Sequence, residues 1–185
     1  MGRSTGFLKR YLKRNGSKVL TGILLILVVL FMFAYECKKD AEDDLKISEY
    51  KEYAKKYSLE NGVELKLVLA IIKCESNFDE KALSRAGACG LMQLMPKTFK
   101  WLGGTDEEDI FDPETNIKYG CKYLRYLFGR FEDIETVIAA YNAGEGNVSL
   151  WLSDNAHSDD GKTLKSIPFA ETASYVRRVM AQYSG

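Results

Sequence analysis

Histidine, proline and net charge are all scarce in this chain. It has one histidine, His157, and no G-x-S-x-G turn, which argues against Ser-His-Asp and Cys-His hydrolases. Four cysteines in 185 residues are too few for a disulfide-dense miniprotein. Three prolines and no low-complexity run argue against a disordered tail. A formal net charge of zero argues against a nucleic-acid binder, which usually carries a strong basic excess. No ordered spacing of His or carboxylate suggests a metal site, and Asp106, Glu107, Glu108 and Asp109 are most simply a solvated loop.

The zero charge is a sum of unlike parts. Residues 1–18 carry Arg3, Lys9, Arg10, Lys13, Arg14 and Lys18 and no acid, whereas residues 36–185 hold 20 bases and all 26 acids. Between them, residues 19–35 (VLTGILLILVVLFMFAY) are uncharged and free of proline. As a helix they would reach roughly 26 Å, near the lower limit for crossing a hydrocarbon core. A basic flank before an apolar run fits a secretory signal or an uncleaved anchor. The exit Phe33, Ala34, Tyr35, Glu36 lacks an A-x-A cleavage pattern, which favours a single transmembrane helix with its N-terminal side in the cytoplasm. A lipid-modified Cys37 would want small residues before it, not Tyr35 and Glu36.

The expected organisation is a basic tail (1–18), an anchor (19–35), a polar tether (36–47) and one domain (48–185) outside the cytoplasmic membrane. Its pattern predicts a compact, mainly α domain. Leu65, Val68, Leu69 and Ile72 make one helical stripe, with Asn61 and Glu64 as a candidate capping box. Asp112 before Pro113 predicts a capped helix striped by Ile117, Cys121, Leu124 and Phe128. Pro96 and Pro168 fit the same first-turn role, and a short helix over 134–141 should stop at Asn142, Gly144, Gly146 and Asn147.

Glu75 lies at the border of the first stripe, about 70° from its centre at about 100° per residue. Half-desolvated there, its carboxyl would have a raised pKa and serve as a general acid; on a wet face it would be an ordinary surface charge. Cys74 falls opposite the stripe, so the stripe does not explain it.

The segments CESNF (74–78), AGACGLMQLMP (86–96), NIKYGCKYL (116–124), AAYNAGEGNV (139–148) and IPFAETASYV (167–176) resemble, in order and spacing, the lytic transglycosylase family, with its soluble-lytic-transglycosylase type of catalytic domain, related in fold to goose-type lysozyme. The resemblance covers about residues 48–185 and implies a lysozyme-like helical fold acting on peptidoglycan glycan strands. It implies that Glu75 is the single catalytic acid and Ser76 the serine beside it. Gln93 and Met95 would line the saccharide groove, Tyr141 and Asn142 would face Glu75 across the cleft, and Glu171 and Tyr175 would belong to the ET..Y element. Each has a plainer alternative: Met95 as core, Asn142 as a helix stop, Glu171 as a first-turn acid favouring the helix dipole.

The implied reaction cleaves the β-1,4 bond between N-acetylmuramic acid and N-acetylglucosamine and closes a 1,6-anhydro ring. It calls for no cofactor and no metal. A muramidase that uses water, and a wall-binding assembly protein without turnover, are the alternatives. Wall remodelling or a secretion machine would be a partner setting. The cysteines depart from the family's usual pattern, and a Cys74–Cys89 disulfide in the oxidising exterior is the hypothesis they suggest.

Overall fold

A computed structural model describes the chain from Arg3 to Gly185; in its first helix the side chains of residues 3–12, 16, 17, 19, 22 and 23 lie outside the described residues. The elements are α1 (Arg3–Asn61), α2 (Leu65–Glu75), α3 (Pro96–Trp101), α4 (Pro113–Phe128), α5 (Ile134–Ala143), α6 (Glu145–Leu152) and α7 (Ala170–Ser184). Among the described residues there is no strand, only the isolated bridges Leu83 to Cys89 and Cys89 to Leu94.

Two compact units divide the chain, Met1–Lys46 and Ile47–Gly185. In the first, the chain is helical and its large apolar side chains from Leu24 to Phe33 are all exposed. Among the described residues, no helix is long and apolar enough to cross a membrane. The expected span over 19–35 includes Val19, Gly22 and Ile23, which lie outside the described side chains.

The second unit is built around α2, which packs on α7, while α7 packs on α5 and α5 on both α4 and α6. The last turns of α1 join this core through Tyr50, Ala54 and Tyr57, spaced four and three apart on one face. Tyr50 donates to Glu80 (2.5 Å), and Tyr57 and Lys56 both donate to Glu114 (2.8 Å), tying α1 to the loop after α2 and to α4.

Local chemistry explains most helix boundaries. Asp112 caps α4 by accepting from the Thr115 N–H (2.8 Å), with Pro113 in the first turn; Asp133 caps α5 in the same way on Thr136. Three sequence expectations need correction. Asn61 does not cap α2: it closes α1, donating to the Tyr57 carbonyl (2.8 Å), and Glu64 is the N-cap, its carboxylate accepting from Tyr183. Pro168 precedes α7 rather than opening it, since Phe169 is the N-cap. The turn at 142–147 is a single residue, Gly144, whose φ of +86° ends α5 and lets α6 start at once; Asn142 is still helical.

Candidate active site

The C-terminus of α2 is half-buried, with Cys74 and Glu75 both partly exposed. Its buried residues are Leu67, Val68, Ala70, Ile71 and Ile72, a wide arc, because α7 covers the side that Leu65 and Leu69 leave open. On a helical wheel Glu75 falls within about 40° of the centre of that arc, not at its border. Burial therefore dominates its carboxyl and raises its pKa to about 7, while the Tyr175 hydroxyl and the Arg178 guanidinium, both on α7, pull it back down. Among the described residues, no second carboxylate acts on it. The Tyr175 hydroxyl is buried, neighbours this carboxyl and makes no hydrogen bond of ordinary geometry. Tyr141, from α5, is buried close enough to Glu75 for that charge to help raise its own pKa.

Just past Glu75 the backbone turns sharply: Asn77 (φ +52°) and Phe78 (φ +67°) are both left-handed, a costly conformation for residues with a Cβ. This turn sends the chain into the loop that carries residues 89–95. That loop is suspended from three elements, the end of α2, α4 and α5. Ser76 donates to the Leu91 carbonyl (2.8 Å) and Tyr141 to the Met92 carbonyl (2.8 Å). Asn116 on α4, fully buried, accepts from the Met92 N–H (2.7 Å) and donates to the carbonyls of Cys89 (2.9 Å) and Ile110 (2.8 Å). Gly90 and Gly120 make the approach possible: a Cβ on Gly90 would stand 2.5 Å from the Asn116 amide, and one on Gly120 would stand 2.2 Å from the Met92 sulfur.

The expected site residues thus divide into two groups. Glu75, Tyr141 and Tyr175 converge. Ser76 and Tyr141 direct their hydroxyls to backbone carbonyls, and the Gln93 amide donates to the carbonyls of Ala82 (3.0 Å) and Gly90 (2.9 Å), leaving its own oxygen as the side-chain group not so engaged. Met95, the N-cap of α3, is 41% exposed. Asn142 is exposed and accepts from Thr172 of α7 (2.7 Å), and Glu171 is exposed on the first turn of α7, where Tyr175, four residues on, is buried.

The Cys74–Cys89 disulfide is not formed; Cys37, Cys74, Cys89 and Cys121 are all free thiols. Cys89 points its Sγ to the Gly87 carbonyl (3.3 Å), whereas Cys74 faces α7 beside Arg178, which is why a residue off the Leu65 stripe is nevertheless half-buried. Glu108 is likewise more than a solvated loop acid. It accepts from Thr105 N–H, Tyr119 and Lys118, and these bonds hold its carboxyl down at about 2. Asn116, Gly120 and Arg178 were not singled out from sequence, although a polar Asn116 beside the apolar stripe of α4 was a visible signal.

Comparison with known proteins bears on the family and the fold. Residues 52–164 match the family model described as the transglycosylase SLT domain. The chain is 38% identical over 141 residues to the soluble lytic murein transglycosylase of Escherichia coli K12, covering 71% of this chain and 22% of that protein. It is 35% identical over 141 residues to the membrane-bound lytic murein transglycosylase C of Edwardsiella ictaluri, covering 67% of this chain and 38% of the relative. The crystal structure of the 70-kDa soluble lytic transglycosylase from Escherichia coli superposes with a TM-score of 0.64 at 34% identity, over 73% of this chain and 23% of that one. The chain therefore spans well under half the length of these relatives, and the shared part is the helical unit that holds Glu75. The chain belongs to the transglycosylase SLT domain family.

Proposed function

We propose that this protein is a membrane-anchored peptidoglycan lytic transglycosylase, with Glu75 acting first as acid and then as base. The observation that carries the proposal is the half-buried Glu75 carboxyl, which desolvation pushes up to about 7 and on which no second carboxylate among the described residues acts. Two-carboxylate glycosidases need a nucleophile or a general base beside the acid. One carboxyl suffices if the substrate supplies the rest. Protonated Glu75 gives its proton to the glycosidic oxygen between N-acetylmuramic acid and N-acetylglucosamine, and the C1–O bond breaks. The N-acetyl oxygen of the muramyl ring relieves the positive charge at C1. The Glu75 carboxylate then removes the proton of the 6-hydroxyl, whose oxygen bonds to C1 and closes the 1,6-anhydro ring. Proton and bond counts balance without water.

Tyr175 and Arg178 tune the acid, and Tyr141, Ser76 and Asn116 hold the groove wall formed by residues 89–95. The Gln93 oxygen, Met95, Asn142 and Glu171 are the groups offered to the glycan. The anchor is supported by ten consecutive large apolar side chains, Leu24 to Phe33, each 47–74% exposed, which need an apolar surrounding that water does not give. Six cations before them favour a cytoplasmic N-terminal side and a catalytic unit, residues 48–185, outside the membrane.

Digestion of purified sacculi by the full-length protein tests the activity. Mass spectrometry should find muropeptides one water lighter than hydrolysis gives, and Glu75→Gln should lower their release by at least about a hundredfold. Hydrated products would make the protein a muramidase, and undiminished release by Glu75→Gln would refute the assignment. For the anchor, the full chain should stay in the membrane fraction after alkaline carbonate extraction, and release there would remove the anchor from the proposal.

A further inference from the structure

An aromatic path leads away from Glu75, from the buried Tyr141 through the half-buried Tyr123 and Tyr126 to the exposed Trp101. The Tyr141 ring is 5.3 Å from that of Tyr123, Tyr123 stacks on Tyr126 at 6.4 Å, and Trp101 meets Tyr126 edge-on at 4.6 Å. The outer three rings, with Lys97, Thr98 and Glu145, line a cavity of about 280 Å³. Trp101 is 57% exposed although it is the largest side chain type and lies in contact with another ring. Its partner is fixed from behind: Tyr126 donates to Glu145 (2.6 Å), which also pairs with Arg130 (3.6 Å). The indole is thus held upright by a buttressed tyrosine and keeps a large area open to solvent.

This arrangement has the composition of a saccharide position. A hexosamine ring presents an apolar C–H face that packs on an indole, and its hydroxyl and amide groups need polar partners at the edge, here Thr98, Lys97 and Glu145. Continuity with the site supports the same occupant. The segment that carries Gln93 and Met95 runs directly into α3, whose last residue is Trp101, so the groove wall and the aromatic cavity are consecutive in the chain.

We infer that Trp101, backed by Tyr126, forms a distal subsite that holds an N-acetylated hexosamine of the glycan strand beyond the sugars at Glu75. The inference rests on the proposed glycan-cleaving function. It makes long strands better ligands than short ones, because a chain must reach past Tyr141 and Tyr123 before it meets the indole.

Tryptophan fluorescence gives a direct test, since Trp101 is exposed whereas Trp151, the other tryptophan, is only 7% exposed and packed against Phe169 (4.9 Å). The full-length Glu75→Gln protein in detergent is titrated with the hexamer and the dimer of N-acetylglucosamine, by fluorescence and by calorimetry. The hexamer should shift the emission saturably. Adding Trp101→Ala should abolish the shift and weaken hexamer binding about tenfold, with a smaller effect on the dimer. Trp101→Tyr, which restores a stacking ring, should recover most of the calorimetric affinity, an outcome that a merely misfolded alanine variant would not predict. Equal hexamer affinity with and without Trp101 would overturn the subsite and leave the catalytic proposal standing. Failure of the hexamer to bind either protein would overturn the subsite too. Unimpaired cleavage by Glu75→Gln would strike only the catalytic assignment.

Discussion

Replacing Glu75 with Gln should stabilise the protein in a pH-dependent way, and the size follows from the burial of this one carboxyl. Its pKa rises from 4.5 to about 7 on folding. Between those values the native state binds a proton that the unfolded chain has released, so stability falls as pH rises through this window. Below pH 4.5 the group is neutral in both states and imposes no penalty. Above pH 7 it is charged in both, and the folded state bears the full desolvation cost, about 3 kcal/mol at 1.36 kcal/mol per unit. Glutamine keeps the shape and carries no charge. The thermal midpoint of Glu75→Gln should therefore match the wild type at pH 4 to 4.5 and exceed it at pH 8 by roughly 10 °C for a unit of this size. Differential scanning calorimetry of both proteins at the two pH values measures it. A midpoint difference that does not grow with pH, or a variant less stable at pH 8, would refute the claim that desolvation governs Glu75. With Glu75 as the proposed general acid, the protonated form works, so kcat/KM should decline as pH rises through about 7.

Other expectations follow from the neighbours of that carboxyl and of the loop beside it. Tyr175→Phe removes a group that lowers the Glu75 pKa, so the alkaline limb of the kcat/KM profile should move to higher pH; a limb that stays or moves down would contradict the role given to the hydroxyl. Because that hydroxyl is buried without an ordinary hydrogen bond, the same variant should change stability by less than about 1 kcal/mol, as urea unfolding would show. Asn116→Ala orphans Met92 N–H and the Ile110 carbonyl and leaves the Cys89 carbonyl only its bond from Leu94 N–H, and should destabilise by about 3 kcal/mol with loss of activity; a loss under 1 kcal/mol in the same assay would mean the loop is held by other contacts. Thiol titration of the denatured protein without reductant should find all four cysteines reactive, and a count of two would restore a disulfide.

Much of the helical layout was legible in the sequence, and the reason is local. Asp112 with Pro113 and the stripe Ile117, Cys121, Leu124 specify α4 through bonds and contacts made within a few residues. Misreadings arose where one residue's neighbours decide between two local roles. Asn61 can cap a following helix or close a preceding one, and the left-handed Gly62 settles it by ending α1 there. Asn142 can stop a helix or ride in its last turn, and Gly144 supplies the stop one residue pair later. The family resemblance implied Ser76 beside Glu75 and Tyr141 facing it; only the tertiary structure shows that their hydroxyls turn to the carbonyls of Leu91 and Met92.

By itself, then, the sequence determined where α3, α4 and α5 begin, that the carboxyl of Glu75 stands in the family's motif, and how unlike the basic tail and the acidic remainder are. Tertiary structure alone decided the state of that carboxyl. Its pKa depends on α7 packing against α2, and on Tyr175 and Arg178 arriving from about 100 residues downstream. Desolvation and Coulomb energies are functions of distance in space, and no pattern within α2 records which helix will pack over it.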